Sequence, residues 1–277
     1  MDYKISGNDI FIEKNREFDL KQTLECGQCF RFTLSGDNTY KGIAMGKPVT
    51  IEENDEGIIF KNVNEDDFKN IWYEYFDLGL DYAEVKKELH NNYSGLHDVI
   101  EYSPGIRILK QNSWEALCSF IISQNNNIPR IMGIVERLCV LCGEQISEGL
   151  YDFPKPQVLA KMTVDDLAPI RSGFRAKYII DAAKKVACGE VDLDAISQMN
   201  IENARAELMK ITGVGPKVAE CTLLYGMHRL DAFPVDVWMK RAMQTMFEGV
   251  SPSVFGRYAG IAQQYIFHYA RQRAESA

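Results

Sequence analysis

The chain has 277 residues, of which 46% are hydrophobic, 25% charged and 11% aromatic. This composition excludes a disordered tail, a collagen-like rod and a small disulfide-rich protein. No stretch approaches the roughly 18 uninterrupted apolar residues of a membrane span, and the first residues lack a signal-peptide pattern. We therefore expect a soluble cytoplasmic protein of one or two domains.

The net charge of −8, taken over the whole chain, argues against a nucleic-acid partner. The charge is, however, distributed unevenly along the chain. Residues 1–100 carry 11 basic and 20 acidic side chains, whereas residues 101–277 carry 20 basic and 19 acidic ones. Because the Debye length is about 8 Å at physiological salt, acidic residues in the first region do not cancel a basic face in the second. A nucleic-acid partner for residues 101–277 stays open.

The sequence contains few of the motifs that bind metals or common cofactors. The seven cysteines are scattered among apolar neighbours, which predicts reduced, buried thiols rather than disulfides. Two C-x-x-C pairs, Cys26/Cys29 and Cys139/Cys142, leave zinc open, but core packing is the favoured interpretation. The histidines are few and widely spaced, and no nucleophile elbow, phosphate loop, dinucleotide fingerprint or H-E-x-x-H occurs. We expect no metal site.

The spacing of apolar residues divides the chain into a β part and a helical part. Short alternating runs predict antiparallel strands at 9–12, 29–33, 41–44, 49–51 and 57–60. From residue 64 the period is helical, and Asn112, Ser113 and Glu115 form a helix-start signal. Further helices are predicted at 127–142, 156–161, 163–168, 175–187, 201–211, 216–227, 236–246 and 252–272. The expected fold is α+β, with a small antiparallel sheet domain and following helices over 1–112 and a helical domain over 113–277.

Residues 201–241 predict a helical hairpin with an unusual turn. Gly213 and Gly215 bracket the turn and let backbone N–H groups approach a ligand, and Pro216 suits the first position of the next helix. An anion such as a DNA phosphate fits this arrangement. An ordinary helical hairpin fits the glycines equally well.

Two charged residues of this segment predict chemistry. Lys217 lies in the first turn of the second predicted helix, where a positive charge is unfavourable. Burial and the helix N-terminus both favour the neutral amine that a nucleophile needs, although a surface lysine is the plain alternative. Asp236 is predicted to cap the helix that starts at 237. The same rigid carboxylate can stabilise positive charge on a sugar or orient an attacking amine.

The order of these residues resembles a known family. The stretch from Gly213-Val214-Gly215-Pro216-Lys217 to Pro234-Val235-Asp236 is similar to the helix-hairpin-helix motif with Gly/Pro-rich loop and aspartate of base-excision DNA glycosylases. Residues 120–139 resemble the triple-asparagine segment of eukaryotic-type 8-oxoguanine DNA glycosylases, and Cys26-Gly27-Gln28-Cys29-Phe30-Arg31 resembles their N-terminal substrate loop. The resemblance covers about residues 20–272. Because no cysteine follows Cys221, the iron–sulfur branches of the superfamily are excluded.

The resemblance implies a reaction and a pocket. Lys217 would attack C1′ of a flipped-out 8-oxoguanine nucleotide, form a Schiff base and permit β-elimination, with Asp236 as the second catalytic residue. The base pocket would be formed by Gly27, Cys221, Gln263 and Phe267. Ordinary surface or core roles are the alternatives for Gln263, Phe267 and Cys221. Every residue has a carbonyl, so only the loop context singles out Gly27.

The same resemblance implies contacts to the rest of the DNA. Asn125 would fill the vacated space, Arg130 and Arg175 would read the orphaned cytosine, and Phe174 would be the wedge where the family has tyrosine. Gly213, Gly215 and Trp238 would contact the backbone, Trp238 standing where the best-known members have histidine. Solvated helix charges are the alternative for the two arginines.

The implied partner is double-stranded DNA containing oxidised guanine, bound by a monomer that works at the nucleoid and not at a membrane. No cofactor or iron–sulfur cluster is implied, only a monovalent cation at the hairpin carbonyls. A non-catalytic helix-hairpin-helix DNA-binding module, with Lys217 paired to phosphate, is the rival hypothesis. A monofunctional alkylated-base glycosylase is disfavoured because those members lack a lysine after the hairpin.

Overall fold

The computed structural model describes residues 1–275, which begin with a six-stranded antiparallel sheet. The strand order is β1-β2-β6-β5-β4-β3. Ile51 and Phe60 are paired across β5 and β6 and are fully buried, as the alternation of apolar residues requires. The predicted sheet is confirmed. Its strands are β1 Lys4–Ser6, β2 Asp9–Glu13, β3 Phe32–Leu34, β4 Thr39–Ala44, β5 Lys47–Glu53 and β6 Gly57–Lys61.

Helices make up most of the remaining chain, with a small ribbon of β7 Gln145–Ser147 and β8 Leu150–Tyr151. None of those described is long and apolar enough to cross a membrane. The α-helices are α1 Leu20–Leu24, α2 Glu65–Asp67, α3 Tyr73–Tyr75, α4 Tyr82–Asn92, α5 His97–Tyr102, α6 Ser113–Ser123, α7 Ile128–Cys142, α8 Pro156–Leu159, α9 Arg175–Ala187, α10 Leu193–Ser197, α11 Ile201–Leu208, α12 Pro216–Cys221, α13 Val237–Thr245 and α14 Ala259–Glu275. Short 3₁₀ turns lie at Ser94–Leu96, Ala168–Ile170 and Pro252–Tyr258, and π turns at Phe68–Trp72 and Thr222–Gly226.

The helix predicted at 163–168 is wrong. Thr163 and Asp166 do make the reciprocal capping bonds, at 2.8 and 3.3 Å. The chain nevertheless continues in turns until the 3₁₀ segment Ala168–Ile170. Pro169 explains this, because it lacks an N–H group and disfavours the helical conformation of the residue before it. The capping hydrogen bonds between Thr163 and Asp166 are therefore present although no helix follows them.

The strand predicted at 29–33 also differs, since β3 begins only at Phe32. The residues before it form a loop that is held by the buried side chain of Gln28. Its amide nitrogen donates to the carbonyl of Arg107 at 2.7 Å, and its amide oxygen accepts from the N–H of Leu109 at 2.9 Å. These bonds tie the loop to the segment that leads into α6.

Two apolar cores stabilise the fold. One lies between the sheet and residues 65–78, and the other lies among helices α4 to α14. Cys26 and Phe30, from the loop before β3, are buried in the helical core, so this loop bridges the two parts. The bridge places Gly27 next to α14. The predicted domain boundary at residue 112 stays a prediction.

Candidate active site

The helical hairpin consists of α11, the turn that follows it and α12, and its two glycines serve different purposes. Gly213 has φ +83°, and a Cβ there would lie 2.4 Å from the ring of Tyr178, so packing against α9 requires glycine. Gly215 caps α12 with an extended backbone, and no heavy atom lies within 4 Å of its Cβ position. The backbone at Gly215 is therefore open to an approaching ligand.

Lys217 is the second residue of α12 and its side chain crosses to α6. Its Nζ donates a hydrogen bond to Ser123 Oγ at 3.1 Å and lies 5.2 Å from the centroid of the Phe120 ring. Ser123 Oγ in turn donates to the carbonyl of Phe120 at 2.8 Å, which leaves its lone pairs facing the amine. The C-terminal end of α6 therefore fixes the position of the amine.

Asp236 caps α13, as predicted, because its Oδ1 accepts from the N–H of Met239 at 2.8 Å. The extended backbone of Asp236 and this bond hold the carboxylate in one orientation. Both Asp236 and Lys217 line the same cavity. The Asp236 carboxylate and the Lys217 amine, each held in position, thus face the same cavity.

This space, which we call the Lys217 cavity, has a volume of about 750 Å³. It lies between the loop before β3, the connection from α6 to α7, and the beginnings of α12 and α13. Its volume falls in the ~300–1,000 Å³ range of small-molecule sites. Residues that line it include Gly27, Phe120, Ser123, Asn126, Ile128, Lys217, Asp236, Trp238, Phe267 and Arg271.

The predicted pocket residues fall into two groups. Gly27, with φ +86°, meets α7 and α14 closely, since a Cβ there would lie 3.3 Å from Ile128 and 3.7 Å from the ring of Phe267. Gly27 and Phe267 therefore form one corner of the Lys217 cavity. Cys221 and Gln263 are each 3% exposed and lie behind the cavity wall. Gln263 Oε1 accepts from the hydroxyl of Tyr225 at 3.4 Å.

Cys221 lies one helical turn after Lys217 and is not a reactive thiolate. Burial raises the pKa of its thiol to about 11, although the neighbouring Lys217 charge opposes the effect. The thiol therefore keeps its proton at neutral pH and packs as an apolar group behind the wall of the Lys217 cavity.

The residues predicted to contact the opposite strand also meet in space. Asn125 is exposed with φ +47°, and Phe174 is 49% exposed. Arg175 lies against Phe174, with its Cζ 4.4 Å from the ring centroid, but is itself only 3% exposed. Its guanidinium donates to the carbonyls of Asn125 at 2.9 Å and Ser172 at 3.1 Å, and also to that of Gln124. Arg175 therefore holds the loop that carries Asn125.

Arg130 differs from Arg175 in exposure. It lies in the first turn of α7 with its side chain in solvent, while its N–H donates to the capping Asn127 side chain at 3.0 Å. Burial, with a smaller effect of the nearby Arg130 charge, lowers the pKa of Arg175. The two cations are thus neighbours, and Arg130 is the one that projects outward.

Comparisons with known proteins agree with this geometry. Residues 10–117 match the N-terminal domain of 8-oxoguanine DNA glycosylase, and residues 118–251 match the HhH-GPD superfamily of base excision DNA repair proteins. The chain is 33% identical over 256 residues to N-glycosylase/DNA lyase of Saccharomyces cerevisiae, covering 81% of this chain and 67% of the relative. The chain belongs to the 8-oxoguanine DNA glycosylase family.

Two solved structures are similar to this glycosylase over its whole length. The Clostridium acetobutylicum 8-oxoguanine glycosylase/lyase, in complex with double-stranded DNA containing cytosine opposite 8-oxoG, has a TM-score of 0.90 and 38% identity, covering 99% of this chain and 100% of that one. MBOgg1, in complex with a low-affinity DNA ligand, has a TM-score of 0.91 and 41% identity over the same shares. The likeness therefore extends to both parts of the fold.

Trp238 contributes an aromatic ring to the wall of the site. It is the second residue of α13 and lines the Lys217 cavity. The guanidinium of Arg241, one turn later, lies 5.7 Å from the centroid of its indole ring. A cation therefore accompanies the uncharged Trp238 ring.

Two residues of the glycosylase site escaped sequence reasoning. Ser123 lies inside the segment that resembles the family, but only the fold places its hydroxyl against Lys217. Glu220 is 6% exposed on α12 and bonds to the segment before Asp236. The sequence signal available for Glu220 was an acidic residue among apolar residues of a predicted helix. Over residues 1–275 there is no group of three or more His, Cys, Asp or Glu side chains able to hold a metal.

Proposed function

We propose that this chain removes 8-oxoguanine from duplex DNA and then cleaves the strand on the 3′ side of the resulting abasic site. The observation that carries this proposal is that the Lys217 amine and the Asp236 carboxylate line one cavity of about 750 Å³. Asn126 and Asn127, which directly follow Asn125 in the chain, also line the cavity. The named activities of the Saccharomyces and Clostridium relatives support the same reaction.

The substrate base leaves the duplex to reach the amine, because C1′ is inaccessible inside the stack. The Phe267 ring supplies an apolar face for the flipped purine, and the Gly27 carbonyl supplies an acceptor at the same corner. 8-Oxoguanine carries a proton on N7 that guanine lacks, so an acceptor there favours the oxidised base. Gln263 reads the Watson–Crick edge only after its side chain turns from Tyr225 toward the cavity.

The first chemical step exchanges one bond at C1′ for another. The neutral Lys217 amine forms a bond to C1′ while the C1′–N9 bond breaks, and the electron pair leaves with the base, which takes a proton. Positive charge develops on the sugar during this exchange, and the rigid Asp236 carboxylate stabilises it. The nitrogen then loses one proton, and the ring oxygen takes up a proton and departs as the 4′ hydroxyl, which gives the protonated Schiff base.

The second step uses the same covalent intermediate. The imine acidifies the C2′ proton, and its removal expels the 3′ phosphate as the leaving group. Hydrolysis of the imine regenerates Lys217. One lysine thereby accounts for both base release and strand cleavage.

Recognition of the opposite strand depends on the edge formed by Asn125, Arg130 and Phe174. Phe174 is exposed enough to insert beside the extruded nucleotide as a wedge. Arg130 offers free donors to a cytosine, whereas Arg175 already uses most of its donors on backbone carbonyls. Arg130 is therefore the main reader, and Arg175 supports the loop beside it.

Contacts to the DNA backbone involve Gly213, Gly215 and Trp238. The open backbone at Gly215 supports a phosphate contact there. The indole of Trp238 offers one donor and no charge, so the phosphate near it gains its positive partner from Arg241. The glycosylase acts as a monomer on nucleoid DNA in the cytoplasm, away from membranes.

No cofactor takes part in the proposed reaction, and no iron–sulfur cluster is needed. A monovalent cation at the carbonyl oxygens of the hairpin turn is the one accessory ion. Activity is expected to survive chelation of divalent metals. Replacing potassium by tetramethylammonium at equal ionic strength tests the accessory ion, because a bound cation predicts weaker DNA binding in the bulky salt.

The proposal is tested by a single-turnover assay on a duplex with one 8-oxoguanine opposite cytosine. Release of the free base and a nick that forms without alkali are expected together. A matched duplex with guanine at the same position is the control and should stay intact. Tight binding without base release would favour the non-catalytic DNA-binding module instead.

A further inference from the structure

Glu220 is a buried acid that the proposed reaction does not use. It lies on α12, three residues after Lys217, and is 6% exposed. Its Oε1 accepts from the guanidinium of Arg205 at 2.5 Å, and its Oε2 accepts from the N–H of Phe233 at 2.8 Å. Both carboxylate oxygens are therefore occupied, and neither reaches the Lys217 cavity.

These bonds join three separate segments of the site. Arg205 belongs to α11, Glu220 to α12, and Phe233 to the segment that leads into α13. Asp236 follows Phe233 by only three residues. The carboxylate of Glu220 thus links the helix of the proposed nucleophile with the segment of the second catalytic residue.

The segment from Phe233 to Asp236 is short and is held at both ends. The Phe233 ring stacks on Phe255 with an interplanar angle of 18°. Pro234 is buried and its ring fixes φ, and Asp236 is bonded to its own helix at 2.8 Å. A displacement of the Phe233 N–H would therefore move the Asp236 carboxylate relative to Lys217.

We propose that Glu220 is a positioning residue that sets the distance between the Lys217 amine and the Asp236 carboxylate. The inference rests on the catalytic roles proposed above for those two residues. A misplacement of about 1 Å in a site of this kind can cost on the order of 10²-fold in rate. Base release needs both groups at once, whereas imine formation on a preformed abasic site needs chiefly the amine.

The test compares two reactions in the full-length Glu220→Ala variant. Base release from 8-oxoguanine duplex is expected to fall on the order of 10²-fold. Borohydride trapping on a preformed abasic duplex is expected to stay within about threefold of the unchanged protein. Equal losses in the two assays, or no loss in either, would overturn the positioning role. Glu202→Ala, on the exposed side of α11, is the matched control.

A second variant covers the case in which Glu220→Ala does not fold, since removing one partner of a buried ion pair is costly. Glu220→Asp keeps the charge but is one methylene too short to reach both Arg205 and Phe233. It should also lose base release selectively, but by only about tenfold. Glu220→Gln keeps an acceptor for the Phe233 N–H and should restore most of the rate. Failure of Glu220→Gln to exceed Glu220→Asp would overturn the proposal.

A double-substitution cycle with Asp236→Asn separates positioning from general damage. If Glu220 acts through Asp236, Glu220→Asp should slow base release little further in the Asp236→Asn background. A full additional tenfold loss in that background would contradict the inference. If the unchanged protein released no base at all, the proposed function itself would be refuted. That outcome differs from one in which the unchanged protein is active but Glu220 has no positioning role.

Discussion

The amine of Lys217 and the hydroxyl of Ser123 are joined by a hydrogen bond of 3.1 Å although they are 94 residues apart in the chain. The bond connects the second helix of the hairpin with the C-terminal end of α6. It directs the amine into the Lys217 cavity rather than into solvent. The position of the proposed nucleophile is therefore a property of the packed helices and not of the hairpin alone.

Lys217→Gln is expected to abolish base release while duplex binding persists. Glutamine keeps the length and polarity of the side chain but offers no nucleophilic amine, so the loss should be on the order of 10³-fold or more. Single-turnover release and a binding titration on the same duplex measure the two effects. The control is Lys210→Gln, because Lys210 pairs with Glu207 away from the cavity. Equal loss of binding and release would identify Lys217 as a phosphate anchor.

Ser123→Ala should slow base release by about tenfold, because the amine loses the hydrogen bond that orients it, worth on the order of 1–2 kcal/mol. The thermal midpoint should change little, since the hydroxyl is only partly buried. Rates at saturating enzyme separate this effect from binding. Ser197→Ala, at the end of α10, is a suitable control because its hydroxyl also donates to a carbonyl three residues earlier. An unchanged rate would mean that the contact has no role in orienting the amine.

Arg130→Ala and Arg175→Ala are expected to differ in kind. Loss of the exposed Arg130 should reduce the preference for cytosine opposite the lesion by ~1–3 kcal/mol, and should affect the other opposite bases little. Loss of Arg175 removes the bonds to the Gln124 and Asn125 carbonyls, so activity should fall with all four opposite bases. Release rates on four duplexes decide the matter. A uniform fall for Arg130→Ala would contradict its role as a reader.

Glu115→Gln is expected to change the pH dependence of stability. Burial raises the pKa of the Glu115 carboxyl from 4.5 to about 7, which Arg31 opposes and Asp152 reinforces. Between these pH values the folded protein holds a proton that the unfolded chain has lost, so stability falls as pH rises from 4.5 to 7. The total loss from this group is on the order of 3 kcal/mol.

Denaturant unfolding at several pH values measures this effect. The Gln variant cannot ionise, so it should become more stable than the unchanged protein above pH 7, and the difference should shrink toward pH 5. Glu148→Gln, in an exposed turn, serves as the control. A stability difference that is the same at all these pH values would show that Glu115 does not titrate in this range.

The sequence predicted those parts of the fold that local patterns determine. The alternation in residues 9–60 predicted the sheet, and the capping residue Asn112 predicted the start of α6. The helix at 163–168 failed because Pro169 opposed the capping pair. The sequence did not predict β1 and α1, because β1 has only 3 residues and α1 only 5, too few for a periodic signal.

The candidate site was predictable only where a motif carried it. Gly213, Lys217 and Asp236 lie in one segment with a recognisable order. Ser123 and Glu220 make contacts between segments distant in the chain, which no local pattern records. The same holds for Arg175, whose burial against the Asn125 loop follows from the packing of α9 beside α6.

The most direct test of the central claim is borohydride reduction during reaction with an 8-oxoguanine duplex, followed by mass mapping of the trapped protein. The account predicts a covalent adduct between DNA and the Lys217 side chain, formed at the rate of base release. An adduct on another amine, or base release and nicking with no adduct at all, would contradict it.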